Sequence, residues 1–267
     1  MSTMFNPNEL LLERIRAVEE YDTATGELTG RYTQIESPSL TTGATGTEVV
    51  DAMGTPIATF YNAQTGTFSF TNSLFSLDLA ASQYGSKKEI ANDTEKITMP
   101  VSETLPIGAD GKVVLRYVPV GVEGAEIKYV KVINQNNTFG KTYEISATAA
   151  EDKFTLDAEN KTITLPAGVT GRVFVKYEKE TATAVKISKS TDSVPEVKTL
   201  NIHAIFRDPC DKNLVYAGVI VCPRAQIDIE STEINLTPDG KHSATYKLEK
   251  PYCDENAKLF DIFVSQD

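Results

Sequence analysis

The sequence predicts a mainly β protein with one packed α-helix, in which a second β module interrupts the first. Short runs of β-branched and aromatic residues recur between turn signals along most of the 267 residues, and one segment has the apolar spacing and end signals of a helix. The net charge is −8 over residues 1–95, +1 over 96–194 and −4 over 195–267. We therefore assign 1–95 and 195–267 to one discontinuous domain and 96–194 to an insertion.

The first flank is predicted to be strands separated by a long polar segment. Apolar runs indicate strands over residues 14–18, 31–35, 55–61 and 66–70. Between the second and third strands, residues 37–54 hold few large hydrophobic side chains and contain Gly43, Gly46 and Gly54. This composition indicates an exposed extended loop or hairpin arm rather than core.

The predicted helix spans residues 73–84. Asn72 or Ser73 can cap its first turn, and Gly85 is placed to end it. Apolar residues recur at helical spacing on one side of this segment, at Leu74, Leu77, Ala80, Ala81 and Tyr84. The segment is therefore expected to cover one face of the flanking sheet.

The middle of the chain reads as six or seven short strands at a spacing of about ten residues. The apolar runs lie at residues 112–118, 126–132, 142–145, 153–156, 162–165 and 171–177. This pattern is typical of an antiparallel sandwich of the immunoglobulin-like type. The segment contains no cysteine or tryptophan, so the pattern predicts the architecture alone.

The second flank is again β. Strands are predicted over residues 198–206, 214–221, 226–236, 243–248 and 259–264. In the third of these, Ile227 and Ile229 alternate with Asp228 and Glu230. A period of two predicts one buried face and one wet face, with the two carboxylates on the wet face.

Composition argues against several functions. A net charge of −11 and a pI near 4.8 disfavour a protein that grips nucleic acid through its phosphates. The longest unbroken apolar run, residues 215–221, is far shorter than the ~20 residues of a membrane-spanning helix. The N-terminus shows no secretory pattern, so the cytoplasm of the producing cell is the expected site of synthesis and assembly.

Enzymatic chemistry is not expected. His203 lies on the face opposite Leu200 and Ile202, and neither it nor His242 accompanies a nucleophile motif, so both are predicted to be surface or sheet-face residues. Cys210 and Cys222 flank a predicted strand that holds them about 25 Å apart, and no cysteine pair has the spacing of a zinc site. We predict reduced thiols, no cofactor, no metal and no catalytic residue.

The flanks resemble the major tail tube proteins of tailed bacteriophages. The resemblance lies in residues 48–60 (EVVDAMGTPIATF), 66–70 (GTFSF) and the helix at 72–81 (NSLFSLDLAA). It continues at 206–211 (FRDPCD), the Pro238-Asp239-Gly240 turn and 259–264 (LFDIFV). The similarity covers about 1–95 and 195–267 and implies a tail-tube-type β-sandwich or barrel interrupted by the immunoglobulin-like module.

This resemblance implies a virion structural protein. Such subunits form stacked hexameric rings around a channel through which DNA is ejected without specific binding, and they contact one another and other tail proteins. An acidic lumen keeps DNA from adhering, and the acidic flanks agree with this. Asp228 and Glu230 are the candidates to face the lumen, although an outward solvated face fits their alternation equally.

The resemblance also implies contacts between successive rings. Residues 37–54, with Gly43, Gly46, Glu48, Asp51 and Gly54, are the candidate ring-to-ring arm, and a plain mobile loop is the alternative. Residues 1–13 would form a second contact through Leu10, Leu11 and Leu12, because an apolar triplet near a terminus needs cover. The expected location is the virion tail.

A different function is also open: a virion surface or decoration module that binds a glycan or a protein through the insertion. An aromatic cluster on one face of the insertion would favour glycan binding. The sequence offers Tyr117, Tyr129, Phe139 and Tyr143 in that segment, but alternation does not place them on one face.

Overall fold

The computed structural model describes residues 8–148, 150–231, 234–238, 240–252 and 258–266. The chain divides into a flanking unit, Met1–Lys88 with Ile187–Asp267, and an inserted unit, Glu89–Lys186. The charge pattern had placed these boundaries at 95/96 and 194/195. Each unit has its own cluster of buried apolar side chains.

The elements alternate with short connections along the whole chain. The flanking unit opens with β1 (Leu11–Asp22), β2 (Leu28–Tyr32), β3 (Ile35–Gly43), β4 (Gly46–Val50), β5 (Pro56–Tyr61), β6 (Thr65–Asn72) and α1 (Leu77–Tyr84). The inserted unit holds β7 (Glu89–Ile90), β8 (Ile97–Pro106), β9 (Lys112–Val114), β10 (Tyr129–Ile133), β11 (Phe139–Ile145), β12 (Lys153–Asp157), β13 (Thr162–Thr164), β14 (Arg172–Thr181) and β15 (Val185–Lys186). The flanking unit resumes with β16 (Val197–Arg207), β17 (Val215–Ile227), a 3-10 turn (Ile229–Ser231), β18 (His242–Leu248) and β19 (Asp261–Ser265).

The flanking unit is a strongly curled antiparallel sheet. Its strand order is β2-β1-β16-β17-β18-β6-β3, and β19 pairs with the first half of β17. The two end strands, β2 and β3, are consecutive in the chain, and β1 also contacts β3, so the sheet is a nearly closed barrel. With the sandwich of the inserted unit, this confirms the prediction of a mainly β protein that combines barrel and sandwich with one packed helix.

The barrel interior is filled by aromatic and aliphatic side chains. Tyr32, Phe70 and Tyr246 form a continuous stack, with ring centroids 5.6 Å and 6.2 Å apart. On β16 the buried residues alternate as predicted, so Leu200 and Ile202 face the core. Burial of each such large side chain stabilises the fold by roughly 1.5–3 kcal/mol.

A carboxyl group lies inside this apolar core. Glu20 on β1 is fully buried and accepts hydrogen bonds from the Ser82 hydroxyl of α1, at 2.6 Å, and from the Tyr246 hydroxyl of β18. Burial raises the pKa of Glu20. Gly30 on β2 leaves the space this cluster needs, since a Cβ there would lie 2.4 Å from the Tyr32 hydroxyl.

The helix is shorter than predicted. It begins after Ser76, whose hydroxyl accepts the Leu79 N–H at 3.2 Å, because Asn72 is still paired within β6. Gly85 ends the helix as predicted, in the left-handed region with a φ of 60°. Leu79, Ala80 and Ala81 are buried, whereas Leu74 and Leu77 are exposed, so the predicted apolar stripe is wrong over its first turn.

Two strand predictions in the first flank are wrong in extent. The strand predicted over residues 31–35 is divided, because the chain leaves β2 at Tyr32 and crosses to β3, which pairs with β6. Within β3, Ser37 has a φ of 47° and the register shifts between Glu36 and Ser39, as in a β-bulge. The predicted polar arm therefore begins beyond β3 rather than at Ser37.

The inserted unit is a seven-stranded sheet of order β8-β14-β10-β11-β12-β13-β9 that folds over one core. All of its pairs are antiparallel except β11 and β12, which run parallel over two residue pairs, so the prediction of a wholly antiparallel module is wrong there. The sequence did not predict β8, which pairs with β14 along ten residues. Its prolines, Pro100 and Pro106, disguise it, and they are tolerated because β8 is an edge strand.

The inserted unit has a short ladder of its own at its two chain ends. There β7 pairs with β15, with Ile90 opposite Val185 and Glu89 opposite Lys186. The Lys186 ammonium lies 3.2 Å from the Glu89 carboxylate. The chain thus enters and leaves the unit on neighbouring strands.

Candidate assembly surface

The feature of the flanking unit that demands a partner is a two-stranded hairpin arm, residues 46–61. It consists of β4 and β5, which pair with each other and with no third strand among the described residues. Every residue of the arm is exposed. Because an isolated two-stranded ribbon is marginally stable in water, this arm needs cover from elsewhere.

Large apolar side chains lie on both faces of the hairpin arm. Val49 lies opposite Ala58, and Phe60 is on the same face, where it is 66% exposed. Ile57 and Tyr61 alternate onto the other face, with exposures of 68% and 73%. A sheet that covers a core has one wet face, so apolar residues on both faces indicate that the arm inserts between neighbouring surfaces.

The tip of the arm is a tight turn organised by Asp51. Its carboxylate accepts the N–H groups of Met53 and Thr55, each at 2.8 Å, and Gly54 adopts a φ of 85°. The hydrogen bonds from Thr55 and Met53 lower the pKa of Asp51. This turn holds Met53, which is 92% exposed, at the end of the arm.

The predicted arm residues fall together in this region. Gly43 ends β3, Gly46 begins β4, Glu48 is exposed on β4, and Asp51 and Gly54 form the tip. Gly46 is sterically required, since a Cβ there would lie 2.8 Å from the Thr59 side chain. That these residues join successive rings stays a prediction.

A second apolar patch lies at the start of β1. Leu11 and Leu12 are exposed and pair with Arg207 and Phe206 of β16, while Leu10 is half-buried. Arg207 forms an ion pair with Glu13 beside them. Residues 1–7, the remainder of the predicted N-terminal contact, lie outside the described residues.

The strand predicted over residues 226–236 is wrong beyond Ile227. There β17 ends and a 3-10 turn follows, because the Asp228 carboxylate accepts the Glu230 N–H at 3.1 Å and this local bond replaces ladder pairing. Ile227 is buried but Ile229 is exposed, so the predicted alternation does not hold. Residues 232 and 233 lie outside the described part of the chain.

The candidate lumen pair is held by one lysine. The Lys247 ammonium lies 3.1 Å from the Asp228 carboxylate and 3.8 Å from that of Glu230. The hydrogen bond to Asp228 raises the pKa of Lys247. The two acids and this lysine together carry a net charge of −1, and Glu230 is the more exposed of the two acids.

Sequence reasoning missed a third apolar surface, on β19. This strand was predicted, but not its place beside the first half of β17, where it leaves Ile262 and Phe263 exposed. The signal was present as the run Ile262-Phe263-Val264, which a strand with one buried face does not need. The hairpin arm, the start of β1 and β19 are thus three apolar surfaces of one unit.

The polar side chains that were tested for chemistry have structural partners. His203 lies 2.9 Å from the Glu19 carboxylate on the sheet surface. His242 is buried rather than on the surface: it accepts the Ser76 N–H at 3.4 Å and contacts the Gln83 amide at 2.7 Å, and burial lowers its pKa. Both histidines therefore stabilise the barrel.

Metal and membrane features were examined over the described residues. They contain no group of three or more histidine, cysteine, aspartate or glutamate side chains that could hold a metal ion. Cys210 and Cys222 are free thiols, burial raises the pKa of Cys222 to about 12, and Cys253 lies outside the described residues. Over the same described ranges, no helix is long and apolar enough to cross a membrane.

Comparison with known proteins gives one match. No curated protein matches the sequence. A family model described as the YomU/Tube protein family matches residues 11–260, which include β1, the hairpin arm, α1 and the whole inserted unit. On this match, the chain belongs to the YomU/Tube protein family.

Proposed function

We propose that the chain is the subunit of a bacteriophage tail tube, which assembles into stacked hexameric rings around a channel for DNA. The observation that carries this proposal is the hairpin arm with exposed apolar residues on both faces. Membership in the YomU/Tube protein family supports a structural role in the virion rather than an enzymatic one. The partners are further copies of the chain and other tail proteins, in a tail assembled in the host cytoplasm.

Burial of the arm supplies the free energy of assembly. The arm presents Val49, Met53, Ile57, Phe60 and Tyr61 to a neighbouring subunit. Each large apolar side chain that becomes fully buried contributes roughly 1.5–3 kcal/mol. Several such side chains per subunit, repeated around a ring, are enough to offset the entropy that association costs.

Electron microscopy with matched variants tests this assembly. We expect the purified wild-type chain, at high concentration, to form hollow rings or tubes in negative stain. The arm variant I57S/F60S should melt like the wild type, because both side chains are exposed, but light scattering should show it as a monomer. The control V114S/V122S alters two exposed residues of the inserted unit and should still assemble. A wild type that stays monomeric, or an arm variant that assembles normally, would contradict the proposal.

The acidity of the flanks has a role in this proposal, since like charge keeps DNA from adhering to the channel wall. Asp228 and Glu230 are the residues we place at the lumen. We expect tubes of the variant D228N/E230K to retain double-stranded DNA at low salt, and wild-type tubes to release it. The control E123K/E151K reverses two acids of the inserted unit and should release DNA as the wild type does. Equal release by all three would remove these residues from the lumen.

A further inference from the structure

The inserted unit carries an aromatic surface that its own core does not use. Tyr129, Lys131, Phe139, Thr142 and Phe174, from β10, β11 and β14, line an open cleft of about 430 Å³. Tyr129 is 47% exposed and Phe139 67% exposed. We call these five residues the aromatic face.

The strand register explains why these side chains point away from the core. Lys131 lies opposite Thr142 on one side and Phe174 on the other, which places the three in one row across the sheet. Their chain neighbours Val130, Val132 and Val175 are buried. Since successive residues of a strand face opposite sides, the aromatic face is the outer surface of this sheet.

The aromatic residues expected from the sequence are not all here. Tyr143 is buried in the core of the unit. Tyr117 lies elsewhere, with the Lys179 ammonium 3.5 Å from its ring centroid. Tyr129 and Phe139 remain, and Phe174, which the sequence did not single out, joins them.

The charge of this surface is positive although the chain is acidic. The Lys131 ammonium sits 5.1 Å from the Phe139 ring centroid, and Arg172 and Lys176 flank Phe174 on the same side of β14. Within the described residues none of these three cations has a carboxylate within 4 Å. Glu144, on the same surface, is paired with Lys153 at 2.6 Å.

Hydroxyl side chains surround the aromatic rings. Thr142 lines the cleft, Thr104 of β8 lies opposite Phe174, and Ser102 lies opposite Lys176. A pyranose ring has an apolar face that packs on an aromatic ring and hydroxyl groups around its edge that hydrogen-bond to such side chains. The cations add partners for carboxylate groups on the sugar.

We propose that the aromatic face binds an acidic polysaccharide, a chain of pyranose rings that carry carboxylates. A folded protein partner fits less well, because a stable protein interface buries about 800 Å² on each side and five residues line this cleft. A polymer of phosphates without sugar rings would use the cations and leave the aromatic rings in water. The site lies within the inserted unit, so it does not depend on the tube proposal.

Calorimetric titration of the full-length chain tests this site. The probes are decamers of galacturonic acid, a neutral glucose decamer, and oligo(dT). We expect the wild type to bind the acidic sugar most tightly, and Y129A/F139A to weaken this binding by about tenfold or more, as loss of two stacking contacts does. K131Q should also weaken it and reduce its dependence on salt.

Two matched controls separate this effect from general ones. Y252A removes a fully exposed tyrosine of the flanking unit, and K112Q removes an exposed lysine of another strand of the inserted unit, so both should bind as the wild type does. Thermal melting checks that each variant is folded. Failure to bind the acidic sugar, equal binding by Y129A/F139A, or tighter binding to oligo(dT) would overturn the proposal. Tube formation by the same variants would stay unchanged, so the two proposals fail separately.

Discussion

At the scale of single residues, Glu20 shows how a core can hold an acid without a metal or a direct ion pair. Its carboxyl group is fully buried between β1, α1 and β18, and hydroxyl groups rather than water hydrogen-bond it. Lys198 is the nearest cation that acts on it, and burial outweighs this attraction, so the pKa of Glu20 is raised. Glu20 therefore joins the helix to two strands at a cost that depends on pH.

The first prediction concerns this pH dependence. In the unfolded chain Glu20 ionises near its model value of 4.5, whereas the folded chain keeps the proton to a higher pH. The stability that Glu20 contributes is therefore complete below pH 4.5 and is lost as the pH rises towards the folded pKa. Relative to E20Q, the wild type should lose free energy of unfolding over this range, with a slope of at most about 1.4 kcal/mol per pH unit. Denaturant titrations of both proteins from pH 4 to 8 measure this difference, and a difference independent of pH would contradict it.

Some residue environments could be predicted and others could not. Alternation in β16 was sufficient to place Leu200 and Ile202 in the core and His203 on the outer face. Glu20 and His242 were not predicted to be buried, because their partners Ser82, Tyr246 and Gln83 come from elements distant in the chain. Local patterns contain no information about such pairs.

At the scale of elements, α1 shows how competing hydrogen bonds move a boundary. Asn72 and Ser73 both have side chains that can cap a helix, but Asn72 lies in the ladder of β6 and the Ser73 N–H donates to Gln34. The helix therefore starts one turn later, at Ser76. Gln83 then docks its other end, donating to the Ser243 carbonyl of β18 at 2.7 Å.

The second prediction places the cap. S76A removes the acceptor for the Leu79 N–H and should lower the free energy of unfolding by about 1 kcal/mol. S73A removes only a hydrogen bond to Glu36, a partly exposed carboxylate, and should lower it by about 0.5 kcal/mol or less. Urea unfolding of the two variants measures both losses. A larger loss for S73A would put the start of the helix where the sequence alone placed it.

Strand ends were harder to predict than strand centres. The ladder of β17 stops where the Asp228 side chain forms its own backbone hydrogen bond, although the apolar alternation continues for two more residues. Both β4 and β5 form a hairpin with no core behind it, which composition suggested through the lack of large hydrophobic residues before Val49. Propensity and periodicity therefore locate an element, and hydrogen bonds at its ends decide its length.

At the scale of the whole molecule, the chain contains two cores that share no buried side chain. One comprises residues such as Val18, Leu200 and Tyr246, and the other residues such as Val130, Phe154 and Ile163. The uneven charge along the sequence indicated an insertion, but charge says nothing about which backbone groups pair. The immunoglobulin-like type of the inserted unit stays a prediction.

The third prediction is that the inserted unit folds alone. A fragment of residues 89–186 includes the whole seven-stranded sheet, its core and the β7–β15 ladder at its ends. We expect it to unfold in one cooperative transition by circular dichroism and to give dispersed amide resonances. The control fragment 107–186 lacks β8, the partner of β14 over ten residues, and should not unfold cooperatively. Non-cooperative melting of the longer fragment would show that the flanks are needed.

The pairing of β7 with β15 has a consequence for how such a chain can change over generations. Because residues paired across an antiparallel ladder have Cα atoms only about 5 Å apart, the host sequence meets the same short gap whatever lies between Ile90 and Val185. The entropy of closing that gap rises only slowly with the length inserted. The ladder is therefore a socket: one recombination event can exchange or delete the guest module while the barrel that accepts it keeps its own register.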